Sequence, residues 1–327
     1  MKSIRFHQFG EPAEVLKIED VRKPEPGNGE VLLKMLARPI NPSDLLTIQG
    51  LYGALPQLPA TPGFEGVGII ETLGSGVEGF SVGQRVIPLG TPGTWQEYMI
   101  VRAKSMLPVP DPINNETAAQ FVVNPVTAWV MVTEDLKVGK GEWLLQTAAG
   151  STLGRIVIQI GKLRGFKTIN IVRRREQIDE LKQIGANEVI CSTDESIVDR
   201  VSEITKKTGV FAAIDAVGGQ VGGEVARSLA RNGVMLSYGR LSPDPIPLDV
   251  GTMIFRTSSV RGFWLSDWFK TTPSARQAGV LNELLQLMVQ GKIVPPVEAT
   301  YDLDDIINAV KHAQSSGRRG KVLLTSK

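Results

Sequence analysis

The sequence predicts an α/β protein in two parts, a doubly wound parallel sheet and a smaller, mostly antiparallel β domain. Three observations lead there. The chain has 327 residues, too many for one ordinary core. Its first third is rich in short β-branched or alternating runs punctuated by Gly and Pro. From about residue 116, strands alternate with helix-length segments, the pattern of a parallel sheet covered on both faces.

Taken in order, residues 1–115 offer GEVLLKMLARPI, GFEGVGIIETLG, GQRVIPLG and TWQEYMIV as strands. ETAAQFVVNPVTAWVMVTED then reads as helical apart from Pro125. Between Trp143 and Arg175 an apolar strand runs through a small-residue turn into an amphipathic helix and a second apolar strand, WLLQTAAGSTLGRIVIQIGKLRGFKTINIVRRR. ITKKTG closes a helix, VFAAIDAVGG is a strand, EVARSLARNG a helix, VMLSYG a strand, and SVRGFWL the last strand of the sheet. Residues 274–293 form an amphipathic helix, with Leu281, Leu284, Leu285 and Met288 on the core face. The tail supplies a strand near EATYDL, a helix from about Leu303 to Ser315 and a final strand KVLLT, and is expected to return to the first domain. The expected division is 1–115 with 268–327, and 116–267.

Composition narrows the function. A hydrophobic share of 42%, 21% charged residues and a net charge of +2 describe an ordinary soluble globular chain with no case for nucleic acid or an anionic membrane. No apolar run reaches bilayer length, and MKSIRFHQFGEP has neither an h-region nor an arginine-rich amphipathic pattern, so a cytoplasmic location is expected. The single cysteine, Cys191, rules out a disulfide within the chain and a four-cysteine zinc site. It follows EVI in an apparent buried strand and reads as a small core residue rather than a nucleophile. His7 and His312 stand far apart, each without a nearby Cys or second His.

The turn carries the first functional expectation. Gly150, Ser151, Thr152, Leu153 and Gly154 put backbone N–H groups and a helix N-terminus where a pyrophosphate can sit. The second strand ends in Arg173, Arg174 and Arg175, where NAD-specific chains usually place Asp or Glu, and arginine suits a 2′-phosphate. NADPH is therefore the expected cofactor. The glycine spacing is irregular, and the competing reading is a plain strand-to-helix turn beside solvated arginines. The order of turn, helix, strand and arginines favours the dinucleotide.

On these and further motifs the chain resembles the medium-chain dehydrogenase/reductase superfamily. The shared pieces are NPSD (Asn41 to Asp44), GFEGVG (Gly63 to Gly68), TAAGSTLG, IGA (Ile184 to Ala186) and AVGG (Ala216 to Gly219). Zinc members of that family carry a cysteine just ahead of the NPSD region and Gly-His-Glu where this chain has Gly63, Phe64 and Glu65. Both ligands and the cysteine-rich lobe are missing, so the resemblance is to zinc-independent members, with no metal. INPSDLLTIQGLYGALPQLPATPGFEGVG from Ile40, VNPVTAW, INIVRRR and RGFWLSDW are similar to mitochondrial-type trans-2-enoyl thioester reductases. The resemblance implies a Rossmann cofactor domain, a GroES-like domain and Tyr52 as catalytic acid. It implies NADPH contacts from Asn41, Asn124, Thr127, Gly150 to Gly154, Arg173 to Arg175, Tyr238, Gly239, Phe263, Trp264, Leu265 and Lys321. It also implies a homodimer paired through the edge strand of the cofactor domain. Thr152 departs from a usual Gly, and Arg240 from a small residue.

The chemistry is consistent with Tyr52. Reducing an enoyl thioester sends hydride to the β-carbon, builds charge on the thioester oxygen and requires a proton at the α-carbon. A phenol is protonated at neutral pH and donates. Tyr52 lies in the Gly/Pro-rich loop Gly50 to Pro62, as suits a residue reaching into a cleft, although an aromatic packed under that loop is the plainer alternative. Trp264 and Trp268 are candidates for an acyl-pocket wall or for plain core. Lys270 and Arg276 are candidates for meeting the phosphate of CoA or an acyl carrier protein. The expected activity is NADPH-dependent reduction of enoyl-CoA or enoyl-acyl carrier protein. The rivals are quinone or enone reduction and NADPH binding without catalysis.

Overall fold

Alternating apolar runs become strands because each buries one face or two. In the computed structural model, which describes residues 1–326, β1 (Lys2–Arg5) and β2 (Lys17–Asp20) pair as an antiparallel ribbon. They are followed by β3 (Glu30–Pro39), β4 (Val67–Leu73), β5 (Arg85–Pro88), β6 (Tyr98–Arg102) and β7 (Met106–Pro108). Residues 124–293 form a second unit holding β8 (Trp143–Gln146), β9 (Lys167–Val172), β10 (Glu188–Cys191), β11 (Val210–Asp215), β12 (Leu229–Ser237) and β13 (Ser259–Gly262). The chain then returns to the first unit for β14 (Val297–Asp302) and β15 (Lys321–Thr325).

The first unit orders its main sheet β14-β15-β3-β4-β5-β7, with β6 also on β3. All pairings are antiparallel except β14 with β15. β3 is long and almost wholly buried because it pairs with β15, β4 and β6 along its length. Val31, Leu33 and Met35 pack with Ile70, Val86 and Met99 into one core. Ile40, Val322 and Leu324 join Ile4, Phe6, Ile306 and Val310 in a second.

The second unit orders its sheet β10-β9-β8-β11-β12-β13, parallel throughout. Its inner strands are continuous apolar runs because helices cover both faces. Leu145, Ile169, Ile190, Ala213 and Met235 share one core, and Val172, Val189 and Cys191 join Ala149, Ile158 and Leu181 in another. Strand order reverses between β8 and β11, and in such sheets ligands bind beyond the carboxyl ends at that reversal.

Four local expectations change. LARNG, read as the end of a helix, is the start of β12: the helix stops at Arg227, and Leu229 pairs with Val210, so sheet pairing overrides helix propensity. β13 stops at Gly262, and the FWL that follows leads into the helix Leu265–Thr271. Around Pro125, which has no N–H to donate, the helix opens into a π-helical turn, Val122–Val126, and a second, Val130–Asp135, follows. The division falls at 123/124 and 293/294 rather than 115/116 and 267/268. The helix Ser274–Val289 belongs to the second unit, where Glu283 pairs with Arg164 and Arg276 with Glu134. Among the described residues no helix is long and apolar enough to cross a membrane.

Candidate active site

The carboxyl edge of the parallel sheet gathers most of the expected residues of the second unit. β8 runs into a turn in which Ala148 takes a left-handed backbone conformation, φ 49°, unusual for a residue other than glycine. The helix Thr152–Arg164 follows, capped by Ser151, whose Oγ accepts from the Gly154 N–H at 3.1 Å. A Cβ at Gly154 would stand 2.6 Å from the Ala149 backbone, and one at Gly150 would stand 2.1 Å from Gln177 Nε2. Gly154 thus lets the helix close against its own turn. Thr152, the departure from the family pattern, is the first helical residue and is buried with Leu153, whereas Ser151 is exposed.

Arg155, which the sequence reading passed over, secures this turn. Its buried Nε donates to the Gly150 carbonyl at 3.1 Å, and its guanidinium pairs with Glu180 at 2.9 Å. Thr147 and Asp215 were missed too. Thr147 Oγ1 donates to Asp215 Oδ1 at 2.6 Å and accepts from Ala216 N at 2.9 Å. Asp215 also accepts from Val217 N at 3.0 Å and Gly218 N at 2.9 Å, so a buried carboxylate fixes the ends of β8 and β11 together.

Tyr238 and Gly239 leave the end of β12, where Tyr238 N donates to the Asp215 carbonyl at 2.9 Å. The Tyr238 hydroxyl is buried and has no hydrogen-bond partner among the described residues; burial, then the Asp215 charge, pushes its pKa well above the usual phenol range. A Cβ at Gly239 would lie 2.8 Å from the Ala216 carbonyl, and Arg240 is exposed beyond it. Phe263 N donates to the Ser237 carbonyl, Trp264 is partly exposed, with the Lys270 ammonium 5.4 Å from its ring centroid, and Leu265 starts a helix. Arg276 is committed to Glu134, and Trp268 stacks edge-on against Phe269. Beyond β9, Arg173 is exposed, Arg174 half-buried and Arg175 paired with Asp194 at 2.6 Å. Asn124 and Thr127 are buried in the helical stretch ahead of β8. Cys191 is buried at the end of β10, as a core residue should be. A capped helix N-terminus, glycines that admit close approach and three arginines past the next strand fit a phosphorylated dinucleotide.

In the first unit the helix Pro42–Ile48 is capped by Asn41. The Asn41 N–H donates to Asp44 Oδ2 at 2.7 Å, and its Nδ2 donates to Glu65 Oε1 at 2.8 Å. Glu65 Oε2 accepts from Val122 N at 2.9 Å and Val123 N at 2.8 Å. Glu65 and Asp44 are both buried. Burial pushes Asp44 up to about 7, with the Glu65 charge adding and the Asn41 N–H and Lys321 opposing. Glu65 is likewise raised by burial, against the N–H groups of Val123 and Val122, Asn41 and Lys321. Lys321, first in β15, is buried and pulled down to about 8, with Glu65 and Asp44 opposing the shift. Tyr52 is half-buried in its loop with its ring 5.3 Å from that of Phe64, the residue standing where a histidine ligand would be in zinc members.

A model described as "Alcohol dehydrogenase GroES-like domain" matches residues 27–111, and one described as "Zinc-binding dehydrogenase" matches residues 152–281. The chain is 34% identical over 330 residues to the mitochondrial enoyl-[acyl-carrier-protein] reductase of Bos taurus, across 99% of this chain and 88% of that one. A Bacillus thuringiensis structure provisionally named an NADPH:quinone reductase is similar at TM-score 0.94 and 38% identity, covering 100% of this chain and 99% of the other. The complex of Etr1p, a Candida tropicalis 2-enoyl thioester reductase, with NADP and crotonyl-CoA is similar at TM-score 0.89 and 29% identity, covering 99% of each chain.

Proposed function

This chain belongs to the medium-chain dehydrogenase/reductase superfamily of oxidoreductases, and from that premise we propose that it reduces the double bond of trans-2-enoyl thioesters with NADPH, Tyr52 serving as acid. The observation that carries the reading is the Tyr52 phenol, half-buried against Phe64, the residue next to a buried Glu65 that accepts from Asn41 and backbone N–H groups. NADPH, when bound, supplies the hydride. The turn from Gly150 to Gly154 would hold its pyrophosphate, Arg173 and Arg174 its 2′-phosphate, with Arg175 joining them by exchanging Asp194 for the ligand. Tyr238, Gly239, Phe263, Trp264 and Leu265 would line the same carboxyl edge, with Asn41, Asn124, Thr127 and Lys321 as further cofactor contacts. Tyr52 would donate to the thioester oxygen as charge builds there and deliver the proton to the α-carbon.

A second reading, quinone or enone reduction, is supported by the similarity to the Bacillus thuringiensis protein. A quinone accepts hydride with little need for a tyrosine acid. A homodimer belongs to the proposal as well: β13 is the edge of the parallel sheet, and the helix before it leaves Val250, Ile254 and Phe255 exposed. The test is NADPH oxidation with crotonyl-CoA, dec-2-enoyl-CoA, the matching acyl carrier protein thioesters and a quinone panel. Thioester turnover supports the proposal. Turnover of quinones alone selects the second reading, and tight NADPH binding with no turnover of any acceptor overturns both.

A further inference from the structure

The small-residue turn after β8 and the arginines after β9 lie on separate elements, and a buried side chain joins them. Arg155 stands in the first turns of the helix Thr152–Arg164, where a cation opposes the positive end of the helix dipole. Its side chain is nevertheless buried, donating from Nε to the Gly150 carbonyl at 3.1 Å and pairing with Glu180 at 2.9 Å. Glu180 and Gln177 are one turn apart on the helix Gln177–Ile184, which begins just past Arg175. Gln177 lies against the same glycine: a Cβ on Gly150 would stand 2.1 Å from its Nε2. The other end of the turn is held from the sheet by Gln146, whose Nε2 donates to the Gly154 carbonyl at 3.0 Å and to Asn170 Oδ1 at 2.7 Å. The sheet therefore sets the Gly154 end, and the Arg155–Glu180 pair sets the Gly150 end relative to the segment that carries the arginines.

We infer that Arg155 and Glu180 are positioning residues that set the preference for NADPH over NADH. The inference rests on the proposed placement of the pyrophosphate at the turn and of the 2′-phosphate at the arginines. A ligand held at two points gains from the second only as far as the distance between them is fixed, because the second contact is then intramolecular. NADPH uses both points, and NADH uses the turn alone. A bridge that fixes the distance raises the affinity gained from the 2′-phosphate without touching either phosphate. Arginine suits this task because its planar fork donates in two directions, here to a carbonyl and a carboxylate at once. A lysine ammonium on a flexible stem keeps the charge but not the fork.

Two substitutions test this. Arg155→Lys removes the fork and keeps the charge, whereas Glu180→Gln keeps the shape and removes the ion pair. Fluorescence titrations with NADPH, NADH and, by competition, adenosine 2′-phosphate read the two points together and each alone. The ratio of the NADH to the NADPH dissociation constant should fall roughly fivefold or more in both variants, while adenosine 2′-phosphate holds within about twofold. A merely structural role would weaken NADPH and NADH by the same factor and leave the ratio where it was. An unmoved ratio in either folded variant, with the wild type preferring NADPH, would overturn the positioning role and leave the phosphate placement standing. A parallel loss of adenosine 2′-phosphate would put the effect on the arginines themselves and overturn it too. A wild type with no preference for NADPH would overturn the phosphate placement, and this inference with it. The Glu180 side chain is 26% exposed, so Glu180→Gln is the milder change and decides the question alone should Arg155→Lys fail to fold.

Discussion

Replacing Asp44 with Asn gives the prediction most directly worked from the structure. The side chain is buried and its Oδ2 accepts from the Asn41 N–H. An asparagine keeps an oxygen for the Asn41 N–H and removes the charge. The carboxyl has an ordinary value of 3.8, which applies in the unfolded chain, and a value of about 7 in the fold. The fold therefore holds the proton more tightly, so the stability this group contributes is fully present below the unfolded value and is lost as pH rises through about 7. Linkage with those two values gives a loss of roughly 2–3 kcal/mol between pH 5 and pH 8. Glu65 and Lys321 interact electrostatically with Asp44, so the difference between the two proteins reports position 44 together with its effect on those two groups. Urea unfolding followed by circular dichroism at pH 5 and pH 8 is the assay. The wild type should lose about 2–3 kcal/mol more than Asp44→Asn over that interval. Parallel losses in the two proteins would refute the claim that the buried carboxyl takes up its proton on folding.

Other consequences follow from the proposed cofactor site. Replacing Arg173 and Arg175 with Ala should weaken NADPH at least tenfold in a fluorescence titration and leave NADH nearly unchanged, since only NADPH carries the 2′-phosphate; equal losses would remove the arginines from that role. Ser151→Ala removes the oxygen that accepts from Gly154 N and should cost about 1 kcal/mol in urea unfolding, and no loss would mean the cap is dispensable. Gly154→Ala forces a Cβ to within 2.6 Å of the Ala149 backbone and should reduce stability by about 1–3 kcal/mol while weakening NADPH. Unchanged NADPH affinity in that variant would show that the turn can relax without consequence.

Much of the second unit was legible because its signals are local. The alternation of strands and helices is read from one element to the next, and the small-residue turn after β8 and the arginines after β9 lie within about thirty residues of one another. What escaped depends on distant partners. LARNG has good helix formers, and only pairing of Leu229 with Val210 makes it a strand. The π-helical turn at Val122–Val126 reflects the missing Pro125 N–H inside a largely buried helical stretch, which no periodicity reports. Arg155, Thr147 and Asp215 look like ordinary polar residues in sequence, yet each holds the turn after β8 or a strand end from a buried position. Asp44, Glu65 and Lys321 are separated by up to 277 positions and become a cluster only when β15 lies beside β3. The Tyr238 hydroxyl, buried without a partner among the described residues, would have drawn attention to that position, but burial is a property of the fold.

The central claim is that Tyr52 is the acid for an enoyl thioester, and Tyr52→Phe tests it most directly. The variant retains the ring against Phe64 and loses only the hydroxyl. Its kcat with crotonyl-CoA should fall by roughly 10²–10⁴-fold while NADPH affinity holds and any quinone reduction persists. Crotonyl-CoA turnover within a few fold of the wild type would contradict the assignment.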